Sequence, residues 1–579
     1  MHDWLRKIDV YFPVRYSAWL ASAVGVLLFT FSWVAFDIGG IAALVCLFLL
    51  GLGWRDTHQR RHSVLRNYPV IGHFRFLLEF IRPEIRQYFI ESDNEAAPFS
   101  RQQRSLVYQR AKGQSDKRPF GTQLDVRQAG FEWLNHSIAP TTVASADFRV
   151  RIGEGGTSCT QPYAASIFNI SAMSFGALSA NAVLALNGGA KKGGFAHDTG
   201  EGSISQHHRV HGGDLIWEIG SGYFGCRNDD GSFNAEKFSV NARDPQVKLI
   251  ELKLSQGAKP GHGGVLPGPK VTAEIAAARG VPIGEDCISP AQHSAFSTPM
   301  EMMRFIERLR QLSGGKPVGF KLCIGHPWEW FAICKAMLES DILPDFIVVD
   351  GAEGGTGAAP LEFTDHVGAP LQEGLQLVHN TLTGLNLRHR IKIGAAGKVI
   401  GAFDIARLMA IGADWCNAAR GFMFALGCLQ AQTCHTGACP TGVTTQDPQR
   451  QKALVVPDKT ERVYRFHQHT LLALRELVQA AGLTHPNQIK ASHIVRRLVG
   501  GEVRLLANVL TFLQPGALLA ASAGRAPWPH MVFELYWPQA RSDSFAAVAS
   551  AQPAQPAQAA QTGAGGAVSM KLERVESLS

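Results

Sequence analysis

The chain has 579 residues, of which 46% are hydrophobic and 18% are charged. A charged fraction below the ~25% usual for soluble domains, together with 59 glycines, excludes a mostly disordered or coiled-coil chain. The 56 Lys and Arg exceed the 48 Asp and Glu by only 8 charges, and no basic patch is evident apart from one beside an apolar segment, so we expect no nucleic-acid partner. Ten cysteines in a chain of this length exclude a disulfide scaffold.

The first 66 residues are predicted to form a membrane anchor. Residues 18–36 and 38–53 are two almost wholly apolar runs, each close to the ~20 residues that cross a hydrocarbon core. A signal peptide fits poorly because a second apolar run follows the first, and a buried core hairpin is the alternative. Both outer flanks are basic and the turn is not, which predicts a two-pass protein of the inner (cytoplasmic) membrane with its body in the cytoplasm. The basic residues are Arg6, Lys7 and Arg15 before the pair and Arg55, Arg60, Arg61 and Arg66 after it.

Residues 67–140 are predicted to connect this anchor to the main body, with a surface helix and loop at 81–100. From about residue 142, short β-branched runs alternate with helical patterns such as 177–191, 299–312 and 400–411. Eight such runs predict an α/β fold whose parallel strands close into a (β/α)8 barrel, with a doubly wound open sheet as the alternative. The predicted strands are 166–171, 194–197, 248–254, 282–288, 318–323, 345–350, 391–395 and 414–418.

The barrel domain is predicted to span residues 141–515 and to be followed by a C-terminal extension at 516–579. Within this extension, residues 542–568 are rich in Ala, Gln, Pro and Gly and poor in large apolar side chains. Such a composition cannot form a hydrophobic core, so a disordered tail is expected.

Three cysteines lie close together in the segment GCLQAQTCHTGACPTGVTTQ, at Cys428, Cys434 and Cys439. Thiols at this spacing in a cytoplasmic chain favour metal binding over disulfides, and soft thiolates suit zinc or an iron–sulfur cluster. Zinc usually takes a fourth ligand, and His435 is awkwardly placed to share a tetrahedron with its neighbour. Three thiolates can hold a cluster with three irons, and three unrelated buried cysteines are the alternative.

Glycine-rich turns follow the last three predicted strands, in VVDGAEGGTGAAP, IGAAGKVIG and NAARGF. Gly354 and Gly355 would let backbone amides approach an anion closely, Thr356 adds a hydroxyl group, and Gly397 opens a helix. Because barrels often bind phosphate on the loops after their late strands, the three turns together favour a phosphorylated cofactor. Any one of them alone could be an ordinary tight turn.

Several charged residues lie in apolar or glycine-rich surroundings. Lys321, within VGFKLC, could oppose the negative charge of a reduced flavin ring or could extend to solvent. Each of the others, taken alone, could be a surface charge. They are Glu201 in DTGEGS, Lys259 and His262 in the Gly/Pro loop 256–271, and Arg279 at the end of a helical pattern.

Five segments, in consistent order, resemble the FMN-binding synthase domain of glutamate synthases. The resemblance covers roughly residues 140 to 450 and implies a (β/α)8 barrel with FMN at the carboxyl ends of its strands. It further implies a 3Fe–4S cluster held by Cys428, Cys434 and Cys439. The segments are SAMSFGALS (171–179), DTGEG (198–202), QGAKPGHGGVLPGPKV (256–271), DGAEGGTGAAP (350–360) and GC through CHTGACPTGVTTQDP (427–448).

The same resemblance implies a role for each residue at a matching position. Met173, Ser174 and Lys321 would contact the flavin ring. Glu201, Lys259 and Arg279 would be the catalytic residues that handle 2-oxoglutarate or its imine. The phosphate would be held by Gly354, Gly355, Thr356, Gly397 and Lys398.

Three departures from the family bear on substrates and partners. The family's GEGGQLP reads GHGGVLP, with His262 and Val265, which leaves fewer polar anchors for a dicarboxylate. No amidotransferase domain is found, so we expect free ammonia, an amine or a separate glutaminase as the nitrogen source. The GxGxxG at residues 220–225 is followed by a polar stretch instead of a helix, so we expect an external electron donor, ferredoxin-like or a membrane redox protein.

The sequence therefore predicts an oxidoreductase acting on CH–NH2 donors, which reduces a 2-imino acid formed from 2-oxoglutarate, or an analogue, and ammonia. One alternative is an N-alkylglutamate-forming or other amine-using flavin synthase, which Val265 favours. A non-catalytic redox relay module is the alternative of another class.

A reporter fusion tests the predicted orientation of the anchor. A phosphatase that is active only in the periplasm should be active when inserted near Asp37 and inactive when fused after Arg66, since basic flanks stay in the cytoplasm. Phosphatase activity measured in whole cells distinguishes the two fusions. The reverse pattern would contradict the orientation.

Overall fold

The computed structural model describes residues 14–94 and 97–548. The chain divides into two compact units between Ser105 and Leu106, inside the predicted connecting segment. We call them the N-terminal unit and the barrel unit. Arg6 and Lys7 of the predicted basic flank, and residues 549–568 of the predicted tail, lie outside the described residues.

The N-terminal unit begins with two apolar helices, Ser17–Phe36 and Gly40–His58. They run antiparallel, and the indole Nε1 of Trp19 donates to the carbonyl of Leu50 at 3.0 Å. Asp37 ends the first helix in the left-handed conformation, with φ 57°. Both helices are long and apolar enough to cross a membrane, and many of their large apolar side chains are exposed.

Two further helices follow the hairpin, Ser63–Asn67 and Gly72–Ile85, and the second continues into a π-helical turn, Arg86–Ile90. The surface helix predicted within 81–100 thus begins nine residues earlier, at Gly72, and its π-helical turn ends at Ile90. A last helix, Arg101–Lys112, extends across the division into the barrel unit.

A closed barrel of eight parallel strands forms the core of the barrel unit. The (β/α)8 prediction is confirmed, and the open doubly wound sheet is wrong. Burial of both faces explains the strands' near-continuous apolar sequences. The strands, β1 to β8 in chain order, are Phe168–Ile170, His197–Asp198, Leu215–Ile219, Val247–Lys253, Val318–Leu322, Phe346–Asp350, Lys392–Ala396 and Trp415–Ala418.

Seven of the eight predicted strands correspond to barrel strands, and one prediction is wrong. Within the predicted strand 282–288 only Cys287–Ile288 is extended, and it pairs with Val265–Leu266 in a two-stranded ribbon outside the barrel. The missed barrel strand is β3, LIWEI. The charged Glu218 interrupts this short apolar run, so the sequence does not show the pattern of a buried strand. Glu218 is tolerated there because it pairs with Lys321 of β5.

Helices cover the outside of the barrel. The three helical predictions are confirmed to within a few residues at their ends. The helices that follow the successive strands are Ala180–Gly193; Gln206–Arg209; Ala235–Ala242; Ala273–Arg279 and Pro299–Leu312; Pro327–Ser340; Leu361–His366 and Leu371–Gly384; Ala402–Ile411; and Arg420–Leu426, Pro448–Lys452 and Val456–Ala480.

Smaller elements complete the unit. The helices Leu506–Val509, Ala517–Ser522 and Met531–Tyr536 belong to the C-terminal part of the chain. Besides the ribbon described above, the strands outside the barrel form a three-stranded antiparallel sheet, Glu132–Leu134, Ile494–Arg497 and Val503–Leu505, and a two-stranded one, Arg149–Ile152 with Tyr163–Ser166.

A buried ion pair joins the outer helices to the amino-terminal ends of two strands. Asp345, just before β6, accepts from Arg310 Nε at 3.0 Å and from the amide of Val318, the first residue of β5, at 2.8 Å. Both charged side chains are at most 1% exposed. A charge buried this way is stable only while its partner is present.

Removing Asp345 should therefore strongly destabilise the barrel. Asp345→Ala removes the buried partner of Arg310, which keeps its ion pair with Glu307, and we expect a loss of about 3 kcal/mol in the free energy of unfolding. Urea titration of the detergent-solubilised chain measures this loss. Asp543→Ala, which breaks an exposed pair with Arg541, is the control and should cost less than about 0.5 kcal/mol. Equal effects would contradict the structural role of Asp345.

Candidate active site

Lys321 lies in the interior of the barrel, one residue before the carboxyl end of β5. Its side chain is 4% exposed, which excludes the alternative that it extends to solvent. Its ammonium is bonded to the Glu218 carboxylate of β3 and lies 3.2 Å from Oε1 of Glu251 on β4. Glu218 and Glu251 are direct register partners on their neighbouring strands.

Two more carboxyl groups, of Asp198 on β2 and Asp350 on β6, interact electrostatically with Lys321. Burial raises the pKa of Asp198 well above its ordinary value, and Glu251 adds to this effect. Burial also raises the pKa of Glu251 to about 7, and the proximity of Lys321 only partly offsets the rise. Four carboxyl groups thus surround one ammonium, and burial raises the pKa of three of them, Asp198, Glu251 and Asp350.

The carboxyl oxygens of Asp198, Glu218 and Glu251 lie within 4.8 Å of one another. This spacing alone would suit a divalent cation. However, the Lys321 ammonium is bonded to the Glu218 carboxylate and lies 3.2 Å from Glu251. Burial would lower the pKa of Lys321, but Glu218 and Glu251 raise it well above the ordinary value. The carboxyl cluster is therefore the counter-charge of a lysine, not a metal site.

Glu201, in the loop after β2, meets the predicted catalytic lysine and arginine in the same region. Its Oε2 lies 3.1 Å from Nζ of Lys253, the last residue of β4. Burial would raise the pKa of Glu201, but the positive charges of Lys253, Arg279 and Lys259 outweigh burial and lower it. Glu201 is therefore a carboxylate at neutral pH.

Lys259 and Arg279 are both 5% exposed, and neither forms an ion pair with a carboxylate among the described residues. Arg279 donates to the carbonyl of Phe175 at 3.0 Å, and its guanidinium stacks on the Phe224 ring. Burial lowers the pKa of Lys259, an effect that Glu201 opposes. The region therefore holds two buried cations that interact with Glu201 but form no ion pair within 4.0 Å among the described residues.

A small cleft of about 20 Å³ opens beside these charges. Glu201, Lys253 and His262 line it. Glycines keep the space beside Glu201 open, because a Cβ at Gly264 would lie 2.3 Å from Glu201 Oε1. Val265 does not line the cleft in the described part of the chain; it is 39% exposed and pairs with Ile288. Of the two departures in this loop, His262 is thus the one at the cleft.

Met173 and Ser174 lie in the loop after β1, next to the loop of Glu201. Met173 is buried, and the Ser174 hydroxyl accepts from the amide of Gly202 at 3.2 Å. A Cβ at Gly200 would lie 2.6 Å from the Ser174 amide nitrogen. These loops therefore pack closely at the carboxyl ends of β1 and β2.

The glycine-rich turns after β6 and β7 lie side by side, since a Cβ at Gly397 would be 3.6 Å from Cα of Gly351. Lys398 adopts the left-handed conformation, with φ 52°. Gly355 and Gly357 face open space, and the amides from Gly355 to Gly357 donate no hydrogen bond among the described residues. The amides of Gly355 and Thr356, which were predicted to hold a phosphate, are thus open to an anion, whereas the Gly354 amide donates to the Gly351 carbonyl at 2.9 Å.

The three cysteines lie in the segment that follows the helix Arg420–Leu426. Cys428 and Cys439 are buried, and Cys434 is half-buried. Cys428 Sγ accepts from the Gln430 amide at 3.4 Å and lies 3.8 Å from the Arg420 guanidinium. Lys270 donates to the Cys434 carbonyl at 2.7 Å.

The surroundings of the thiols favour thiolates to different degrees. Burial raises the pKa of Cys428, although Arg420 opposes it and Cys434 is close enough to reinforce it. Burial would also raise the pKa of Cys439, but hydrogen bonds from Thr441 and Thr444 lower it to about 7. Lys270 interacts with both Cys434 and Cys439.

The three thiols do not form a compact set like that of a single metal ion. Among the described residues, only Asp198, Glu218 and Glu251 bring three ligand atoms within 4.8 Å of one another. Two thiolates bound to one zinc at about 2.3 Å each would lie within about 4.6 Å of each other.

Sequence reasoning missed Lys253 and the carboxyl groups around Lys321. The pattern that identified Lys321, a charge inside an apolar strand, also occurs in VKLIELK, which contains Glu251 and Lys253. It occurs again in LIWEI with Glu218 and in FIVVD with Asp350. Applied to every strand, the same criterion would have found Glu218, Glu251 and Asp350, but not Asp198 in the two-residue strand β2.

Several known proteins and one protein family are similar to this chain in sequence or in fold. Residues 150–484 match the profile of a family described as a conserved region in glutamate synthase. The glutamate synthase large subunit-like protein YerD of Bacillus subtilis (strain 168) is 39% identical over 524 residues, which cover 82% of this chain and 98% of YerD. The archaeal glutamate synthase (NADPH) of Methanocaldococcus jannaschii is 32% identical over 375 residues, which cover 65% and 69%. Among solved structures, a flavocytochrome b2 variant with sulfite bound aligns with 78% of this chain and 91% of its own, at 12% identity and a TM-score of 0.38.

The raised pKa of Glu251 predicts a pH-dependent stability. From its ordinary value of 4.5 up to about 7, the unfolded chain releases this proton while the folded chain keeps it. Stability is therefore lost as the pH rises through this window. In Glu251→Gln this loss is removed, so its thermal midpoint should fall less between about pH 5 and about pH 8 than that of the parent.

Thermal unfolding of the detergent-solubilised protein, followed by circular dichroism across this pH range, measures the difference. Glu502→Gln is the matched control, because Glu502 is exposed and pairs only with Arg504. Identical pH slopes for parent and Glu251→Gln would contradict the retained proton.

Proposed function

The chain belongs to the glutamate synthase family, and we propose that it reduces a 2-imino acid, formed from 2-oxoglutarate or a close analogue and ammonia, to the amino acid. The observation that carries this proposal is a pair of buried cations near the cleft at Glu201, Lys259 and Arg279, neither of which forms an ion pair within the part of the chain that the structure describes. Buried charges are ordinarily paired, and an anionic substrate would supply the missing partner.

The charges near the cleft match a dicarboxylate. Lys253, Lys259 and Arg279 carry three positive charges against the one negative charge of Glu201. The excess of two equals the charge of 2-oxoglutarate. Lys259 and Arg279 would bind carboxylates, and Glu201, held as a carboxylate, would orient the cationic imine nitrogen.

FMN is the cofactor that the family and the loops favour. The free amides at Gly355 to Gly357 and the adjoining turn at Gly397 and Lys398 would hold its phosphate. Met173, Ser174 and the Lys321 cluster would lie on the side of its ring. Bound FMN would supply hydride for reduction of the imine.

A 3Fe–4S cluster would be held by Cys428, Cys434 and Cys439. The spacing of the thiols favours several irons over one zinc, and Arg420 and Lys270 offset thiolate charge. An external donor, ferredoxin-like or a membrane redox protein, would deliver electrons to the cluster. Ammonia would come from solution or from a separate glutaminase.

The apolar helices Ser17–Phe36 and Gly40–His58 would anchor the protein in the inner (cytoplasmic) membrane. Arg15 precedes the pair, and Arg55, Arg60 and Arg61 follow its last apolar turns. By the positive-inside rule both ends, and the catalytic body with them, would be cytoplasmic.

Anaerobic reoxidation of the photoreduced protein tests the reaction. Flavin absorbance should return on addition of 2-oxoglutarate with ammonium and not with either alone. Faster reoxidation with an alkylamine than with ammonium would identify the N-alkylglutamate alternative. If no 2-oxo acid reoxidises the flavin, the protein is a redox relay and the proposal is wrong.

Lys259→Met should raise the 2-oxoglutarate concentration needed for half-maximal reoxidation by about 10- to 100-fold, because a charge-assisted hydrogen bond contributes about 1.5–3 kcal/mol. The maximal rate at saturation should change less. Lys117→Met, at an exposed position, is the control and should behave as the parent. An unchanged concentration dependence in a flavin-loaded Lys259→Met protein would contradict the role of Lys259.

Cys434→Ala should lose iron and retain flavin, because the phosphate loops and the cysteine segment are separate. Iron analysis and the visible spectrum of the purified protein measure the two cofactors independently. Cys159→Ala, which changes a half-buried thiol elsewhere, is the control. Full iron content in Cys434→Ala would exclude the three thiols as the ligand set.

A further inference from the structure

The helix Gly72–Ile85 carries a second apolar surface, separate from the hairpin. At 3.6 residues per turn, six large apolar side chains fall on one face. Four of them are between 43% and 60% exposed, so the chain itself leaves this face open. The six are Ile71, Phe74, Leu77, Leu78, Ile81 and Ile85.

Three arginines follow one flank of this face. Arg75, Arg82 and Arg86 lie about 80° to 120° around the helix from Phe74, and all three are exposed. A groove of about 680 Å³ runs along the face and is lined by the three arginines and by one acid, Glu79. Its polar edge therefore has an excess of two positive charges. An apolar stripe with arginines on its flank is typical of helices that lie in a membrane interface.

The beginning of this helix is fixed to the end of the hairpin. Asp56, in the last turn of the helix Gly40–His58, is 1% exposed. It accepts from the amide of Val70 at 3.0 Å and from Nε2 of His73 at 2.9 Å. Hydrogen bonds to Asp56 thus hold the start of the amphipathic helix beside the end of the candidate membrane span.

We propose that the helix Gly72–Ile85 lies in the headgroup layer of the bilayer that the hairpin spans. Its apolar face meets the acyl chains, and Arg75, Arg82 and Arg86 bind the phosphates of anionic lipids. This inference rests on the membrane anchor proposed above. A second copy of the chain fits the groove less well, because a two-fold contact would bury the arginines of both copies with only Glu79 to offset them.

Site-specific photo-crosslinking in the full-length protein tests the proposal. A benzophenone-bearing amino acid replaces Phe74, Glu79 or Leu27 in three separate proteins, each reconstituted in nanodiscs of phosphatidylcholine and phosphatidylglycerol. Leu27 lies in the first apolar helix and is 73% exposed, so it reports on the anchor alone. Glu79 is the matched control, about 140° around the helix from Phe74.

We expect lipid adducts at Leu27 and Phe74, detected by mass spectrometry. The adduct yield at Glu79 should be at least about fivefold lower than that at Phe74. Lipid adducts at Leu27 without adducts at Phe74 would overturn the inference and leave the anchor intact. Adducts from Phe74 to a second copy of the chain would overturn it in favour of self-association. Absence of lipid adducts at both Leu27 and Phe74 would overturn the anchor and the inference together.

The arginine–phosphate contact has a separate test. In nanodiscs of phosphatidylcholine alone, the lipid adduct yield at Phe74 should fall about threefold while that at Leu27 stays unchanged. An equal yield at Phe74 in the two lipid compositions would overturn the role of the arginines.

Discussion

The burial of the Lys321 ammonium among carboxyl groups is the constraint on which the interior of the barrel depends. The Glu218 carboxylate of β3 is bonded to this ammonium, and Glu251, Asp198 and Asp350 interact with it electrostatically. An uncompensated buried charge would cost several kcal/mol, so the strands that carry these groups must keep their register. The cluster thereby fixes the depth and direction of the side chains beneath the loops that form the candidate active site.

The same electrostatic requirement continues outward to the cleft. Inside the barrel, one cation is surrounded by four acids, whereas near the cleft one acid, Glu201, is close to Lys253, Lys259 and Arg279. The sign of the local charge thus reverses over the length of a few side chains. Burial of acids in the interior favours their protonated forms, and a basic cleft attracts an anion.

The N-terminal unit combines apolar side chains that are exposed along two helices with a buried acid, Asp56. Asp56 is tolerated in the last turn of an apolar helix because His73 and the Val70 amide satisfy its oxygens. The consequence is that the helix after the hairpin starts at a defined place instead of at the end of a loose linker. The hairpin and this helix together present apolar surface of a kind that soluble proteins rarely leave exposed.

The sequence by itself determined the features that depend on local pattern. Residue periodicity and glycine positions predicted the apolar hairpin, seven barrel strands, the three helices and the glycine turns. Resemblance to a known family supplied the candidate site residues, including Glu201, Lys259 and Arg279. The tertiary structure decided what depends on contacts between distant residues: strand β3 with its inward Glu218, the place of Lys253 beside Glu201, and the position of Val265 outside the cleft. The physical reason is that a buried charge is favourable only beside its partner, and Lys321 and Glu218 are 103 residues apart in the chain.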